Sequence, residues 1–319
     1  GHMDIAERRM PQDGHARVVR NNRPVDLRLS IIPTVVGESA VLRILDKKVG
    51  LKPIDSIGLM PKELESLKKM ITKTTGMLLV VGPTGSGKST TLYAILNEIR
   101  KNNPHVITVE DPVEYHIEGL EQIQTASSRG YTFAEALRHI LRHDPDVIMV
   151  GEIRDSETVQ IANKAALTGH LVLSTLHTND APSTITRLTD MGVEPYLLSS
   201  TLLGVMSQRL VRLNCSHCVE EVGGDAEIRK ALGIKKSGVF FSGKGCAACD
   251  FTGYHGRHAV CELLVITPEI RQLINEGATA QSIRKLAIEQ GMVPIFESAL
   301  ELARGARISL EEVYSVRLE

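Results

Sequence analysis

Met77-Leu78-Leu79-Val80-Val81-Gly82-Pro83-Thr84-Gly85-Ser86-Gly87-Lys88-Ser89-Thr90 carries more structural information than any other part of the chain. An apolar run of strand length stops at a glycine, a glycine-rich loop ending in lysine follows, and helix-forming residues begin at Ser89. Glycines at Gly82, Gly85 and Gly87 let backbone N–H groups turn inward around a phosphate, and the helix N-terminus adds the positive end of its dipole. In such a loop Lys88 reaches the terminal phosphates and Ser89 holds Mg²⁺, while Pro83, Thr84, Ser86 and Thr90 complete the lining. A glycine-rich loop between a buried strand and a helix reads as a nucleotide-binding loop, so ATP and Mg²⁺ are the expected ligands.

On either side the text alternates. Helices are expected over 62–72, 89–101 and 132–142, strands over 77–81, 106–109, 147–150 and 171–174, with a further helix before the last of these. Strands of the fully buried type alternating with helices predict a parallel α/β sheet. Two of the strands end in acids: 106–109 runs into Glu110-Asp111-Pro112-Val113-Glu114, and 147–150 into Gly151-Glu152-Ile153-Arg154-Asp155. Nucleotide hydrolysis needs carboxylates at the carboxyl ends of neighbouring strands, for an in-line water and for the metal. Glu110 is the preferred general base. Gly151 stands where many P-loop enzymes have the metal-binding Asp, which leaves Glu152 to contact Mg²⁺ through water or to polarise water. Asp155 reads equally well as a helix cap. Strand 171–174 has a histidine at each end; His170 reads as structural, whereas His177, at the carboxyl end, is placed to sense the γ-phosphate. Arg138 and Arg142, four apart on one helix face, are weaker candidates for phosphate or intersubunit contacts.

Toward the N-terminus, 25–31 alternates apolar and polar and 39–45 supplies a partner, a β-hairpin with Asp26, Arg28 and Ser30 on its polar face. Gly50, Pro53, Gly58 and Pro61 punctuate a linker over 49–60. Gly1-His2-Met3 reads as a tag scar. Beyond the core, 214–261 loses any long period and holds Cys215-Ser216-His217-Cys218 and Cys246-Ala247-Ala248-Cys249. Two thiolate pairs so spaced predict tetrahedral Zn²⁺ with a closed, structural coordination sphere, His217 being a neighbour and Cys261 left over. Redox dithiols are the rival, but no βαβ context surrounds either pair. The remainder, 262–319, is expected to be helical: Thr267-Pro268-Glu269 starts a helix, Gly291 and Gly305 stop helices, and Ser309 with Glu312 reads as a capping box.

Composition bounds these readings. A chain of 319 residues suits about two domains. Its 42% hydrophobic and 24% charged residues suit a folded chain and not a disordered one. A net charge of -1, 3% aromatics and no Trp disfavour a nucleic-acid surface. No apolar stretch approaches the ~20 residues that span a bilayer. Five cysteines without an export signal favour a reducing, cytoplasmic address.

Four motifs occur in one order: the P-loop, the acidic box from Ile107 to Tyr115 (Ile-Thr-Val-Glu-Asp-Pro-Val-Glu-Tyr), the run from Arg142 to Asp155, and the histidine box reaching Asn179-Asp180. That order resembles the secretion (traffic) ATPases, from Asp4 onward, and Glu152 in place of Asp is itself a habit of that family. The tetracysteine segment and the run from Met191 to Ser200 resemble most the general secretory pathway protein E branch, the type II secretion motors. Pilus-assembly ATPases are close relatives and the runner-up. The resemblance implies a partial PAS-like module over 4–48, a RecA-like P-loop ATPase core over 61–213, a zinc module over 214–261 and a helical region over 262–319. It also implies a homohexamer at the cytoplasmic face of the inner membrane, peripheral to it through partners. There ATP hydrolysis would drive a platform protein that extrudes pseudopilins, and a membrane-anchored partner would dock on an earlier domain that this chain, read as a truncated piece, lacks. Family arginines that reach the nucleotide map onto Arg28 and Arg43. Two further classes stay open: a nucleic-acid motor on the same core, and a nucleotide-binding module that does not hydrolyse.

Overall fold

The computed structural model describes residues 1–20, 23–45, 52–126, 130–223, 226–234 and 238–318. The chain divides into two compact units, one of Gly1–Leu51 with Glu114–Ile117, the other of Lys52–Val113 with Glu118–Glu319. Of the linker anticipated over 49–60, residues 49–51 lie outside the described residues, as do 46–48 at the end of the module anticipated before it.

The first unit is a three-stranded antiparallel sheet of β1 (Gln12–Arg20), β2 (Arg23–Thr34) and β3 (Gly37–Leu45), in that order. Strands β2 and β3 are the anticipated hairpin. Strand β1 was not anticipated, because Gly14 and His15 dilute its alternation; the ion pair Arg17–Asp26 (2.6 Å) ties it to β2 at directly opposed positions. The register sets Leu27 opposite Ile44 and Leu29 opposite Leu42 on one face, and Arg28 opposite both His15 and Arg43 on the other.

The second unit opens with α1 (Pro61–Ile71), which has Pro in its first turn and Glu63 accepting from the Met60 amide (3.2 Å). Then follow β4 (Gly76–Val81), α2 (Lys88–Ile99), β5 (Val106–Glu110), β6 (Glu121–Gln124), α3 (Phe133–Ile140), β7 (Val147–Val150) and α4 (Ser156–Leu167). Next come β8 (Leu171–Leu176), α5 (Ala181–Asp190), α6 (Pro195–Thr201), β9 (Leu202–Asn214), β10 (Val219–Val222), α7 (Ala226–Ala231), β11 (Phe240–Gly243) and β12 (Tyr254–Val265). Four helices close the chain: α8 (Pro268–Asn275), α9 (Ala280–Glu289), α10 (Ile295–Arg304) and α11 (Leu310–Leu318).

Seven strands form the main sheet in the order β12-β9-β4-β8-β7-β5-β6. Six of them are parallel, the four anticipated (β4, β5, β7 and β8) with β6 and β9 added, but β12 runs antiparallel along β9, so the sheet is mixed. Strands β6, β9 and β12 were not legible; β6 is four residues long with none buried. In β9 the polar trio Ser207-Gln208-Arg209 interrupts the apolar run although all three are buried, and the first half of β12 emerges from the cysteine segment on exposed polar residues. Strands β4 and β8 are buried from end to end, which is why they read as continuous apolar runs. Their side chains enter a core shared with α3, α4, α5, α6, α8 and α9, including Met77, Leu79, Val172, Leu188 and Leu198. A second core, around Val211, Phe240, Val260, Leu300 and Val313, lies where β9 and β12 meet α10 and α11. There the anticipated capping box is used differently. Glu312 accepts from the Arg212 amide (2.6 Å) and guanidinium (2.9 Å), and the Ser309 hydroxyl lies 3.1 Å from that of Tyr254, so both side chains fasten α11 to the sheet.

Candidate functional site

The strand order brings the carboxyl ends of β4, β8, β7 and β5 side by side, and each delivers a chemically useful group: the glycine loop after β4, His177 after β8, Glu152 after β7 and Glu110 at the end of β5. Ligands of open α/β sheets bind along this edge. Gly87 is the N-cap of α2 with φ +89°, a left-handed conformation that glycine adopts without steric cost. A Cβ there would also stand 2.8 Å from Gln208 Nε2. Gln208 braces the loop, donating to the Ser86 carbonyl (2.6 Å) and accepting from the Thr91 hydroxyl (2.7 Å). A Cβ on Gly82 would lie 2.4 Å from the Gln208 carbonyl and 3.3 Å from an Arg209 guanidinium nitrogen, so the loop rests directly on β9. Arg209 also donates to the Asn179 carbonyl (2.8 Å), linking β9, on which the loop rests, to the segment that carries His177.

Lys88 donates to the Gly82 (2.9 Å) and Pro83 (3.0 Å) carbonyls. Burial pushes its ammonium below the usual lysine range; Glu152 opposes that shift and Arg209 adds to it. The Ser86 hydroxyl is buried without a hydrogen-bond partner among the described residues, so the loop retains a donor to offer a phosphate oxygen. Ser89 and Thr90, in the first turn of α2, are partly exposed beside it. The donor set fits a polyphosphate.

Glu152 pairs with Arg154, and the ring nitrogen Nε2 of His177 lies 3.2 Å from its Oε2. The Gly151 position is explained by packing: a Cβ there would stand 3.3 Å from Glu110 Cα and from the Val109 carbonyl. An aspartate at that point would need β5 to give way. Glu110 is buried and accepts from Tyr93, Thr108 and Gln122. Asp155 is a cap, accepting from the Thr158 amide (2.7 Å) and hydroxyl (3.0 Å). His170 Nδ1 lies 3.0 Å from the Ala165 carbonyl, the structural role anticipated for it. Arg138 is engaged by Glu135 and Glu157, and Arg142 lies 3.4 Å from His139. Arg28 and Arg43 belong to the other unit, directly opposite one another on β2 and β3.

Sequence reasoning missed Gln208, Arg209, and a network behind the histidine segment. Asp180 caps α5 and pairs with Arg284 of α9 (2.9 Å), while the fully buried Glu262 accepts from the Ala181 (2.9 Å) and Ile295 (3.1 Å) amides at two helix N-termini. The one available signal was the polar trio Ser207-Gln208-Arg209 flanked by the apolar Val205-Met206 and Leu210-Val211 of β9.

The four cysteines meet at a second site. Their sulfurs lie within 4.8 Å of one another, with Cys215–Cys246 and Cys218–Cys249 at 3.9 Å and Cys246–Cys249 at 3.8 Å. Tetrahedral zinc with bonds of about 2.3 Å requires sulfurs about 3.8 Å apart, whereas a disulfide requires about 2.0 Å. The Cys246 amide, with help from that of Gly253, holds the Cys249 thiol down to about 6, whereas desolvation pushes the Cys218 thiol up to about 12, so the sulfur geometry is what fits a metal. Cys261 stands apart, buried and donating to the Ile57 carbonyl (3.4 Å).

Fold and site together define an α/β protein with a P-loop phosphate-binding site. More narrowly, the chain belongs to the type II/IV secretion system protein family, whose model matches residues 1–315. It is 49% identical over 323 residues to the type IV pilus assembly ATPase PilB of Thermus thermophilus, matching 100% of this chain and 36% of that protein. It is 46% identical over 319 residues to the type II secretion system ATPase E of Vibrio cholerae, matching 99% of this chain and 63% of that protein. Among solved structures, the pilus retraction motor PilT with bound ADP is similar with a TM-score of 0.69 and 30% identity, over 97% of this chain and 78% of that one. This chain therefore spans between about a third and two thirds of the length of these two curated relatives. Among the described residues, no helix is long and apolar enough to cross a membrane.

Proposed function

We propose that the chain is the motor part of a type II secretion ATPase, hydrolysing ATP to ADP and phosphate to power pseudopilus assembly. The observation that carries the reading is the row of Lys88, His177, Glu152 and Glu110 at the carboxyl ends of four consecutive strands around one glycine loop. In the proposed step, water attacks the γ-phosphorus in line, forming a P–O bond while the bond to the β–γ bridging oxygen breaks and ADP leaves. Glu110 takes the proton of the attacking water. Lys88 and the loop amides, fixed before the substrate arrives, stabilise charge on the phosphate oxygens. His177, paired with Glu152, senses the γ-phosphate. Ser89 and Glu152 would hold Mg²⁺, which neutralises phosphate charge, and Cys215, Cys218, Cys246 and Cys249 would hold a structural Zn²⁺.

Arg28 and Arg43 belong to the same proposal as arginines reaching a nucleotide. They stand directly opposite one another on β2 and β3, so both can present a guanidinium to one anion. The partial PAS-like module over 4–48, linker over 49–60, RecA-like core over 61–213, zinc module over 214–261 and helical region over 262–319 are the proposed division. So are the homohexamer, the cytoplasmic position at the inner membrane, the platform protein and the membrane-anchored docking partner. The ADP bound to the similar PilT supports nucleotide chemistry, and the identity to ATPase E supports the secretion role. A pilus-assembly role is the second reading, favoured by 49% identity to PilB.

Phosphate release from Mg-ATP tests the enzymatic core. Release that Glu110→Gln and Glu152→Gln each reduce at least a hundredfold is expected; tight ATP binding without release would identify a non-hydrolysing module instead. Complementation of strains lacking either the secretion or the pilus ATPase, with this chain fused into the missing frame, separates the two roles.

A further inference from the structure

Strand β5 ends in a carboxylate that its surroundings hold from nearly every side. Glu110 is 5% exposed. Thr108 Oγ1 donates to its Oε1 at 2.6 Å, Gln122 Nε2 donates to the same oxygen at 3.2 Å, and the Tyr93 hydroxyl donates to Oε2. A carboxylate offers about four acceptor positions. The described residues fill two on Oε1 and one on Oε2, which leaves the acceptor capacity of this group on Oε2. We infer that Tyr93 is a positioning residue for hydrolysis: its hydroxyl fixes the carboxylate so that the remaining lone pair of Glu110 Oε2 receives the proton of the attacking water. This rests on the reading of Glu110 as the general base.

The source of the donor matters as much as its geometry. Tyr93 sits on α2, five residues beyond Lys88 and so about 7.5 Å along the helix axis. One rigid element thus carries the phosphate-binding lysine at its start and the donor to the base farther along. Tyr93 is 2% exposed, so its hydroxyl must be satisfied inside the protein, and an ionised partner makes the stronger bond. A glutamate on a strand end has three side-chain torsions. Holding them before the substrate arrives removes reorientation from the barrier, and misplacement of a reacting group by about 1 Å can cost about a hundredfold in rate.

The test is Tyr93→Phe in the full chain, which keeps the ring and deletes the donor, made alone and together with Glu110→Gln. Phosphate release is measured with enzyme in excess over long times, alongside ATP affinity and thermal melting. The expected result is a roughly tenfold loss of kcat with KM for ATP and melting temperature nearly unchanged, and less than a twofold further loss when the change is made in Glu110→Gln. A wild-type kcat for Tyr93→Phe beside a dead Glu110→Gln overturns this inference alone, as does the same tenfold loss in both backgrounds, which marks a purely structural tyrosine. Full activity of Glu110→Gln removes the base assignment itself and this inference with it. Thr108→Val, which deletes the donor to the other oxygen without touching α2, repeats the test; a coupled loss of kcat supports the held carboxylate, and none contradicts it.

Discussion

Gln208 holds the phosphate loop from a neighbouring strand, and its two hydrogen bonds are the kind whose loss is costly because both partners are buried. Gln208→Leu would leave the Ser86 carbonyl and the Thr91 hydroxyl without that partner, at a cost of about 1–3 kcal/mol by general experience with such groups. Denaturant unfolding should register that loss, and the KM for ATP should rise more than kcat falls; unchanged stability and KM would show that the loop does not depend on β9. At this level the sequence is informative where spacing within one segment encodes chemistry. Gly82 to Ser89 is a local pattern, and Asp155 and Thr267 are caps recognisable from their neighbours. Gln208, Arg209 and Arg284 are not, because each acts on a partner far along the chain and no local rule places a polar residue of β9 against Gly87. Even Gly151, visible as a departure from the usual aspartate, is explained only by the 3.3 Å approach to β5.

The antiparallel pair β10–β11 and the 3-10 turn at Ala247–Cys249 have few buried apolar residues, Phe240 and Cys249 among them, and the proposed zinc on the four sulfurs would fix their geometry. Removing zinc with a chelator should therefore lower the melting temperature by several degrees and expose the segment to proteolysis, with about one zinc per chain recovered by elemental analysis. Zinc-free protein that melts unchanged would reject the metal reading. From α1 to β8 the helices and the strands β4, β5, β7 and β8 were legible because fully buried strands write themselves as short apolar runs, whereas β6, with no buried residue, was not. Strands β9 and β12 were not, since their burial comes from each other, from β4 and from α5, α10 and α11, and the buried polar trio hides the run. The antiparallel edge they form turns the anticipated parallel sheet into a mixed one.

If the proposed arginines Arg28 and Arg43 complete a nucleotide site on an adjacent copy of the chain, turnover belongs to the assembly and not to the single chain. Phosphate release per chain should rise with protein concentration and rise further on fusion to a hexamerising scaffold, with Arg28→Ala and Arg43→Ala abolishing the gain; a rate per chain independent of concentration and fusion would place the whole site within one copy. All of this presupposes that the loop from Gly82 to Ser89 takes a nucleoside triphosphate. Calorimetric titration of the folded protein with ATP in the presence of Mg²⁺, repeated on Lys88→Ala, addresses that directly. Saturable uptake of about one ATP per chain that Lys88→Ala weakens at least tenfold is the expected result, and no uptake by folded wild-type protein, or equal uptake by both, would contradict it.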